Sequence, residues 1–577
     1  MNETGKPRVG VYLCHCGGNI SDVVDVRAVA ASLGEQADVT VARECPFMCS
    51  DAGQKLIAAD LEAGRIDRVV VAACSPALHE LTFRKVLDRA GHNPFLFEHV
   101  NIREQASWVH KHQPVEATRK AKGLTRAGVA KVVRQRPLDP IRIAATHQAL
   151  IVGGGPAGLS AALSLSRAGI SVTVVESGAA LGGRLNELGD TYPDRARASE
   201  LRRRLVTEIE AAPGIRVVLG QEVTAVSGFV GRFAVTLSSG ENLAVGAMVI
   251  ATGAESYRPA AGEFGAGSPA VVTLPDFTAW LAALPPGNGV LRHHDREIRT
   301  LAFVHCVGSR QVEGRHAPQA DGKVNDYCSR VCCTAALHIA EAIQRRFPGT
   351  RVLDVYRDIR TYGRGHEELY DRVSRGGALF FRQGDDEDAR VENGRVTLRD
   401  VLTWNEEVSF AADLIVLATG LVARPIPALV DSLKLPRGAD RFLQEAHPKL
   451  RPLEILTAGI FLAGSCQAPM DLSEAVTAGQ GAAAKAAILL GSDEIFLDPF
   501  VAVVDEARCD GCEICLAECS YTGAIVMNER HRAEVNPALC KGCGACAAVC
   551  PHRAIEVAGW SLDQLEAMVD AIVEDTP

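Results

Sequence analysis

Residues 148–177 read QALIVGGGPAGLSAALSLSRAGISVTVVES, and this stretch decides the fold of the central part of the chain. An apolar run precedes Gly153-x-Gly155-x-x-Gly158, and a helical stretch and a second apolar run follow it. Glycines at this spacing permit a tight turn and let the backbone approach a pyrophosphate, whose charge the helix N-terminus stabilises. Glu176 ends the second run roughly 20 residues later, where a carboxylate suits a ribose hydroxyl. The stretch therefore predicts a dinucleotide-binding α/β unit.

Three further features match flavin disulfide reductases and favour FAD as the dinucleotide. A Gly-Gly-Arg sequence follows the second strand, two Thr-Gly steps end later strands, and GIFLAGSC resembles the last flavin-binding strand of those enzymes. Ser465 stands in that segment where the family usually has Asp. The region 147–490 as a whole resembles thioredoxin reductase. The predicted cofactor-binding residues are Gly153, Gly155, Pro156, Ala157, Gly158, Glu176, Gly182, Gly183, Arg184, Thr252, Gly253, Gly464 and Ser465.

The second α/β segment of such a protein normally carries the nicotinamide site, and here that site is degenerate. Its first strand lies in LAFVHCVGSR, which offers only Gly308 in place of a second GxGxxG motif. No redox CxxC pair lies in the segment either. A direct route from NAD(P)H to a disulfide therefore lacks both its donor site and its acceptor pair.

The C-terminal region carries two copies of a four-cysteine motif with the spacing C-x2-C-x2-C-x3-C, the second followed by Pro551. This spacing lets one loop supply three ligands to a 4Fe–4S cluster, and in two-cluster ferredoxins the fourth comes from the other motif. Zinc is the alternative for clustered cysteines. The predicted ligand sets are Cys509, Cys512, Cys515 and Cys550 for one cluster, and Cys540, Cys543, Cys546 and Cys519 for the other.

Four more cysteines stand where the nicotinamide loop is expected. Adjacent cysteines do not easily form a relaxed disulfide with each other, because neighbouring Cα atoms are only about 3.8 Å apart. Four thiolates in one short segment suit a third 4Fe–4S cluster. Buried core cysteines at the start of a helix are the alternative. The residues concerned are Cys306, Cys328, Cys332 and Cys333.

The first block of the chain alternates β-branched runs with helical stretches, which predicts a parallel sheet. Its cysteines follow three predicted strands, whose carboxyl ends meet at one edge of a parallel sheet. A fourth cluster is therefore predicted on Cys14, Cys16, Cys49 and Cys74, with Cys45 as a spare or alternative ligand. Core cysteines are again the alternative.

Composition and charge exclude several classes of protein. The chain has 577 residues, 23% charged residues and a net charge of -9, without the basic footprint of a nucleic-acid-binding protein. No apolar run reaches the roughly 18 residues of a membrane helix, and the N-terminus has no apolar signal core. We therefore expect a cytoplasmic protein, in which the 18 cysteines bind metal or carry redox chemistry rather than forming disulfides.

These patterns predict a multidomain α/β protein with a thioredoxin-reductase-like, two-Rossmann FAD body. The predicted domains are an N-terminal α/β iron–sulfur domain over residues 1–135, an FAD-binding domain over 147–288 and 409–493, a degenerate nicotinamide-like domain over 289–408, a ferredoxin domain with two 4Fe–4S clusters over 500–557, and a C-terminal helix over 558–577.

Long strings along nearly the whole chain resemble the HdrA family, the flavin-containing components of heterodisulfide reductases. They include GVYLCHCGGNI, VVVAACSPALHE, NPFLFEHVNIREQASWVH, RDIRTYGRGHEELY and CQAPMDLSEAV. The resemblance implies FAD, several 4Fe–4S clusters and a homodimer within a larger complex. It implies as partners HdrB-like and HdrC-like proteins, ferredoxin, and an electron-donor module of the hydrogenase, formate or NADH type. It also implies flavin-based electron bifurcation, in which one electron of a pair reduces ferredoxin and the other a disulfide.

Two departures from the family bear on that role. Longer members have an extra ferredoxin insert that this chain lacks. Many members also carry a Lys close to the flavin, five residues after the paired cysteines, and here the position is His338. A cation there would tune the flavin, and His is only partly charged at neutral pH, so His338 is the predicted catalytic residue.

Two other functions remain open on the sequence. One is a stand-alone NAD(P)H-dependent flavin and iron–sulfur oxidoreductase resembling the small subunit of glutamate synthase, against which the missing second GxGxxG argues. The other is a scaffold whose N-terminal block mainly docks partners. Direct reduction by NADH or NADPH would support the first, and iron content tests the second, since about sixteen iron atoms per chain correspond to four clusters and about eight to the ferredoxin domain alone.

Overall fold

The computed structural model describes residues 6–285, 289–521 and 523–573. The chain forms two compact units, residues 1–143 together with 496–577, and residues 144–495. Within the described ranges, no helix combines the length and the apolar character needed to cross a membrane. The multidomain α/β class predicted from the sequence is confirmed.

The N-terminal domain is a four-stranded parallel sheet in the order β2-β1-β3-β4, flanked by helices. Every residue of β1 is buried, which explains its continuous apolar sequence. Three cysteines mark the carboxyl ends of neighbouring strands: Cys14 ends β1, Cys45 ends β2 opposite it, and Cys74 follows β3. The elements are β1 (Val9–Cys14), α1 (Val26–Gly34), β2 (Val39–Cys45), α2 (Asp51–Glu62), β3 (Arg68–Ala73), α3 (Pro76–Arg89), β4 (Phe97–Asn101) and α4 (Pro114–Val133).

The chain then enters the second unit, where the predicted strand, glycine turn, helix and strand are present. A three-stranded antiparallel sheet, β11-β10-β9, follows. The elements are β5 (Ile141–Ala144), β6 (Gln148–Val152), α5 (Pro156–Arg167), β7 (Ser171–Glu176), α6 (Ala198–Ala211), β8 (Ile215–Leu219), β9 (Val223–Phe229), β10 (Arg232–Leu237), β11 (Asn242–Val245), β12 (Ala247–Ile250) and β13 (Ala254–Ser256).

A second parallel sheet follows, with the order β14-β23-β17-β18-β19. It extends beyond the predicted range 289–408 on both sides, because β14 and β23 pair in parallel with each other and β23 pairs with β17. The elements are β14 (Val271–Thr273), α7 (Leu274–Ala283), β15 (Arg292–His293), β16 (Arg296–Glu297), β17 (Thr300–Val307), α8 (Cys332–Arg346), β18 (Arg351–Tyr356), α9 (His366–Arg375), β19 (Leu379–Arg382), β20 (Arg390–Glu392), β21 (Arg395–Asp400), β22 (Glu406–Ala411), β23 (Leu414–Thr419) and β24 (Leu421–Ala423).

The chain returns to the first sheet of this unit through β25, which completes the parallel order β25-β12-β6-β7-β8. The long Ala-rich helix α11 then packs along α5, where small side chains allow the two helices to approach closely: a Cβ on Gly479 would lie 2.2 Å from the Ala157 carbonyl oxygen. The elements are α10 (Pro427–Leu433), β25 (Ile460–Leu462), α11 (Leu472–Leu490) and β26 (Glu494–Leu497).

The C-terminal domain contains two strand pairs, β27 with β30 and β28 with β29, and one short helix inside each cysteine motif. Its last helix packs on α4 of the N-terminal domain. There Trp560 covers the ammonium of Lys131, which pairs with Glu98 at 2.7 Å, and Gln564 donates to Gln135. The elements are β27 (Ala502–Val504), α12 (Ile514–Glu518), β28 (Ile525–Met527), β29 (Ala533–Val535), α13 (Ala545–Val549), β30 (Ile555–Val557) and α14 (Leu562–Val573).

One buried carboxylate ties β1, β2 and α2 together. Asp60 is fully buried and accepts hydrogen bonds from the Tyr12 hydroxyl at 2.8 Å, Arg43 Nε at 2.7 Å and Arg65 Nε at 2.7 Å. Burial alone would raise the pKa of Asp60, but these three donors outweigh it and lower the pKa. The carboxylate is therefore ionised and fully partnered in the folded protein.

We expect Asp60→Asn to destabilise this region by about 2–3 kcal/mol, because Arg43 and Arg65 lose the negative charge that they pair with and one acceptor oxygen is replaced by a donor. Amide hydrogen exchange in β1 and β2 should accelerate roughly 30- to 150-fold. The wild type should lose the same stabilisation as the pH falls below about 4, since the pKa of Asp60 is lower in the folded state. Asp51→Asn, which removes an exposed partner of Lys55, is the control and should change little. Equal exchange rates in the two variants would contradict the assignment.

Candidate flavin and iron–sulfur sites

A cavity of about 1550 Å³ opens at the carboxyl ends of β6, β7 and β12. Ligands of open α/β sheets bind at this edge. Three predicted cofactor residues, Gly158, Gly182 and Gly464, are not part of its lining. The predicted residues that line the cavity are Gly153, Gly155, Pro156, Ala157, Glu176, Gly183, Arg184, Thr252, Gly253 and Ser465.

Two glycines where β6 leads into α5, one in the turn and one in the first turn of the helix, leave no room for a side chain. Gly153 has φ 115°, and a Cβ there would lie 2.3 Å from the Ala251 carbonyl oxygen. A Cβ on Gly158 would lie 2.0 Å from the Gly153 carbonyl oxygen, so this glycine packs the helix against the turn. Helix α5 begins at Pro156, and its first residues line the cavity. The free N–H groups of that first turn are suited to a pyrophosphate.

Polar groups around the cavity match a dinucleotide. Glu176 ends β7, and its two carboxylate oxygens accept from the N–H groups of Gly154 at 2.6 Å and Gly178 at 2.7 Å. Arg184 donates to Ser256 Oγ at 3.0 Å, and burial lowers the pKa of Arg184. The Thr252 hydroxyl is buried and has no hydrogen-bond partner. An unpartnered buried hydroxyl at the wall of a large cavity fits a site built for a ligand.

The corresponding turn of the second sheet does not open towards a dinucleotide. Gly308 follows β17 with φ 73°, and a Cβ there would lie 2.0 Å from the ring of Tyr257. Tyr257 therefore covers the face of the glycine to which a pyrophosphate would have to come. This packing agrees with the absence of a second GxGxxG motif in the sequence.

The four middle cysteines come together at the end of β17 and the start of α8. Cys306 lies in β17 with φ 63°, Cys328 lies in the following loop, and Cys332 and Cys333 open α8. The pKa of Cys332 is raised, first by its hydrogen bond with Cys333 and by burial, and then by the nearby Cys306 and Cys328 thiolates. Behind them, His305 is buried and pairs with Asp354 at 3.1 Å.

The N-terminal cysteines meet at the carboxyl edge of their sheet. Cys14 Sγ accepts from the N–H groups of Cys16 at 3.3 Å and Met48 at 3.4 Å. The pKa of Cys74 is raised to about 11, mainly by burial; Arg103 lowers it, and the thiolates of Cys16, Cys14 and Cys49 raise it. The predicted set of Cys14, Cys16, Cys49 and Cys74 is thus brought together. Cys45 Sγ is directed to the Phe47 carbonyl oxygen at 3.8 Å.

The ferredoxin domain encloses two small cavities, and each is lined by three cysteines of one motif and one of the other. In the described residues, no three His, Cys, Asp or Glu side chains converge on a single-ion site. A 4Fe–4S cluster holds each thiolate on a different iron, so its ligands are spread more widely. The first cavity has Cys509, Cys512, Cys515 and Cys550, and the second has Cys519, Cys540, Cys543 and Cys546.

His338, the predicted catalytic residue, lies on α8 with its ring 5.6 Å from that of Tyr192. Burial lowers the pKa of His338, so the ring is largely neutral at pH 7. Within the described part of the chain, the residues that line the large cavity do not include His338. Its catalytic role therefore stays a prediction.

Sequence reasoning missed the wall of the cavity that the start of α11 provides. Met470, Asp471, Leu472 and Ala475 line it. Asp471 accepts from the Glu474 N–H at 2.8 Å, and the Glu474 side chain accepts from the Asp471 N–H at 3.1 Å, which completes a capping box. The Asp-x-x-Glu spacing before an Ala-rich run was a usable signal for this helix N-terminus.

Two family matches cover the region of the large cavity and the ferredoxin motifs. Residues 147–290 match the pyridine nucleotide-disulphide oxidoreductase family, and residues 508–554 match the 4Fe-4S dicluster domain. Among solved structures, thioredoxin reductase from Lactococcus lactis aligns with a TM-score of 0.40 and 18% identity, covering 60% of this chain and 99% of that one. With the cavities described above, the family matches identify an FAD- and 4Fe–4S-containing oxidoreductase that transfers electrons.

Several curated relatives of the HdrA type align over most of their length. HdrA of the H(2):CoB-CoM heterodisulfide,ferredoxin reductase of Methanothermobacter marburgensis is 34% identical over 99% of this chain and 98% of its own. An iron-sulfur HdrA of the CoB--CoM heterodisulfide reductase of Methanopyrus kandleri is 34% identical over 91% and 92%. HdrA of the ferredoxin/F(420)H(2)-dependent CoB-CoM heterodisulfide reductase of Methanosarcina acetivorans is 36% identical over 91% and 76%. The chain belongs to the HdrA family of heterodisulfide reductase components.

Proposed function

We propose that this chain takes electrons from a two-electron donor module and delivers them singly to ferredoxin, to a disulfide-reducing partner, or to both. When bound, FAD supplies the exchange between electron pairs and single electrons, and the 4Fe–4S clusters supply one-electron transfer. The proposed partners are HdrB-like and HdrC-like proteins, ferredoxin, and a donor of the hydrogenase, formate or NADH type. The proposed assembly is a cytoplasmic complex that contains two copies of this chain.

The proposal rests first on a link between the middle cysteines and the large cavity. Arg330 lies between Cys328 and Cys332, and its guanidinium donates to Glu474 at 2.7 Å and to the Pro469 carbonyl oxygen at 3.3 Å. Glu474 belongs to the capping box of α11, whose first residues line the cavity. Tyr362 stacks on the same guanidinium at 4.5 Å. One charged side chain thus fixes the cysteine loop to the cavity wall.

This link keeps the two sites close and in a fixed geometry, which electron transfer requires. Arg330 and Glu474 are both partly shielded from water, with side-chain exposures of 39% and 35%, so their attraction is screened less than that of a fully exposed pair. Arg330 also has φ 60°, an uncommon conformation for a residue with a side chain, and its own N–H donates to Cys328 Sγ at 3.3 Å.

Four clusters per chain are part of the proposal. The chemistry of the cysteine side chains supports four clusters, since four cysteines come together at each of the four sites. Two of these sites, in the ferredoxin domain, surround a small cavity. The proposed ligands are Cys14, Cys16, Cys49 and Cys74; Cys306, Cys328, Cys332 and Cys333; Cys509, Cys512, Cys515 and Cys550; and Cys519, Cys540, Cys543 and Cys546.

Replacement of one middle cysteine tests the cluster beside the cavity. We expect Cys328→Ser to lower the iron content of the anaerobically purified full chain from about sixteen to about twelve atoms, with released flavin unchanged. Iron, acid-labile sulfide and flavin are measured on the same sample. Cys466→Ser is the matched control, because Cys466 is buried, donates to the Ile250 carbonyl oxygen and belongs to none of the four sets. Wild-type iron content in Cys328→Ser would argue against this cluster.

The packing of Tyr257 on Gly308 generates a second prediction. Because that turn is covered, we expect NADH and NADPH, at millimolar concentration, to leave the flavin absorbance of the isolated chain unchanged over minutes. Dithionite should bleach the same sample fully, which is the control for an intact flavin. Rapid bleaching by either nucleotide would instead support a stand-alone NAD(P)H-dependent oxidoreductase.

Electron bifurcation is the more specific form of the proposed function. The name of the Methanothermobacter marburgensis enzyme contains both a heterodisulfide and ferredoxin. If this chain bifurcates, the purified native complex should reduce ferredoxin from its two-electron donor only when the disulfide acceptor is also present. Ferredoxin reduction that is independent of the disulfide would indicate simple electron transfer. His338→Gln tests the predicted catalytic residue in the same assay: loss of coupling supports its role, and full coupling argues against it.

A further inference from the structure

We propose that Arg103 raises the reduction potential of the N-terminal cluster by holding a fixed positive charge against its Cys16 ligand. The inference rests on the proposed function, since it assumes a cluster on the four N-terminal cysteines. It adds a tuning residue that neither the cysteine spacing nor the family comparisons indicate.

The guanidinium of Arg103 is built into the site. Its Nη1 donates to Cys16 Sγ at 3.5 Å, while Nη2 and Nε donate to Glu104 at 2.6 and 3.2 Å. The indole of Trp108 lies 4.6 Å from the guanidinium carbon. Only 16% of the Arg103 side chain is exposed. Glu104 and Trp108 therefore set its orientation, and one N–H edge is left for the sulfur.

The backbone also fixes this position. Arg103 starts a short π-helical segment, Arg103–Ser107, which follows β4 at the carboxyl edge of the sheet. Ser107 Oγ donates to the Asn19 carbonyl oxygen at 2.6 Å and so ties that turn to the loop that carries Cys16. π-Helical turns are rare in proteins overall, and many of those that occur lie at functional sites.

Electrostatics gives the direction of the effect. Reduction adds an electron to the cluster, so a nearby positive charge favours the reduced form, and hydrogen bonds to the cysteine sulfurs act in the same direction. Cys14 and Cys74 are 4% and 6% exposed, which limits screening by water. Arginine keeps its charge throughout the accessible pH range, so the effect needs no titration. Glu104 holds the guanidinium and offsets part of its charge.

The experiment is an anaerobic redox titration of the full-length chain followed by electron paramagnetic resonance. The signal that disappears in Cys14→Ala identifies the N-terminal cluster. We expect Arg103→Gln to lower the midpoint potential of that signal by at least about 59 mV, which corresponds to a tenfold change in the equilibrium constant for one-electron reduction. The midpoint potentials of the other signals should stay unchanged. Arg103→Lys, which keeps the charge, should recover most of the shift.

Two further variants keep the test decisive. Arg119→Gln removes an exposed arginine that pairs with Glu116 on α4, and it should shift no midpoint. Glu104→Gln removes the opposing charge and should raise the N-terminal midpoint, so it tests the same electrostatics even if Arg103→Gln fails to assemble the cluster.

The outcomes separate this inference from the proposed function. An N-terminal midpoint that stays constant in Arg103→Gln with wild-type iron content, or that fails to rise in Glu104→Gln, would overturn the role of Arg103 and leave the clusters in place. If Cys14→Ala removes neither iron nor a signal, the N-terminal cluster itself is wrong, and the inference falls with it.

Discussion

Parallel pairing of buried strands brings together residues that are far apart in the sequence, and each proposed site outside the ferredoxin domain depends on it. The strands that precede Cys14, Cys45 and Cys74 are neighbours in one sheet, so their carboxyl ends form a single edge. The same pairing in the second unit places the glycine turn, the end of β7 and the Thr252 step around one cavity. Interstrand hydrogen bonds therefore fix the relative positions of the binding residues before any cofactor binds.

Steric contact at glycine distinguishes the two nucleotide-like turns of the second unit. At Gly153 and Gly158 the missing side chain makes room for backbone, and the turn stays open to the cavity. At Gly308 the missing side chain makes room for the ring of Tyr257. The two sheets share a strand–turn–helix plan, yet one turn is shaped for a pyrophosphate and the other is closed by the protein itself. Cysteines, rather than nucleotide-binding groups, occupy the region after the second turn.

The sequence predicted best what is local. The spacing of the two ferredoxin motifs alone predicts which cysteines group together. In the structure, three cysteines of one motif and one of the other line each of two cavities, as that spacing implies. The turn at Gly153–Gly158 and the acidic residue at the end of β7 were likewise predictable, because one βαβ unit contains them. The extent of the second sheet was not predictable: the apolar runs of β14 and β23 suit either sheet, and only their pairing decides to which sheet they belong.

Contacts between distant segments were also beyond prediction. Nothing in the spacing indicates that Arg330 reaches the cap of α11 or that Arg103 reaches Cys16, because these bonds depend on the packing of separate elements. For Gly464, a Cβ would meet the Ala157 side chain at 2.7 Å, so this position requires glycine for packing. Its predicted contact with the flavin stays a prediction.

The docking of α14 on α4 has a consequence for biosynthesis. The first compact unit is built from both ends of the polypeptide, and the ammonium of Lys131 is covered by Trp560. More than four hundred residues must therefore be synthesised after Lys131 before Trp560 and the last helix can pack on the N-terminal domain. During that interval the nascent chain exposes a surface that is buried in the mature protein, so the N-terminal domain reaches its final packing only after synthesis is nearly complete.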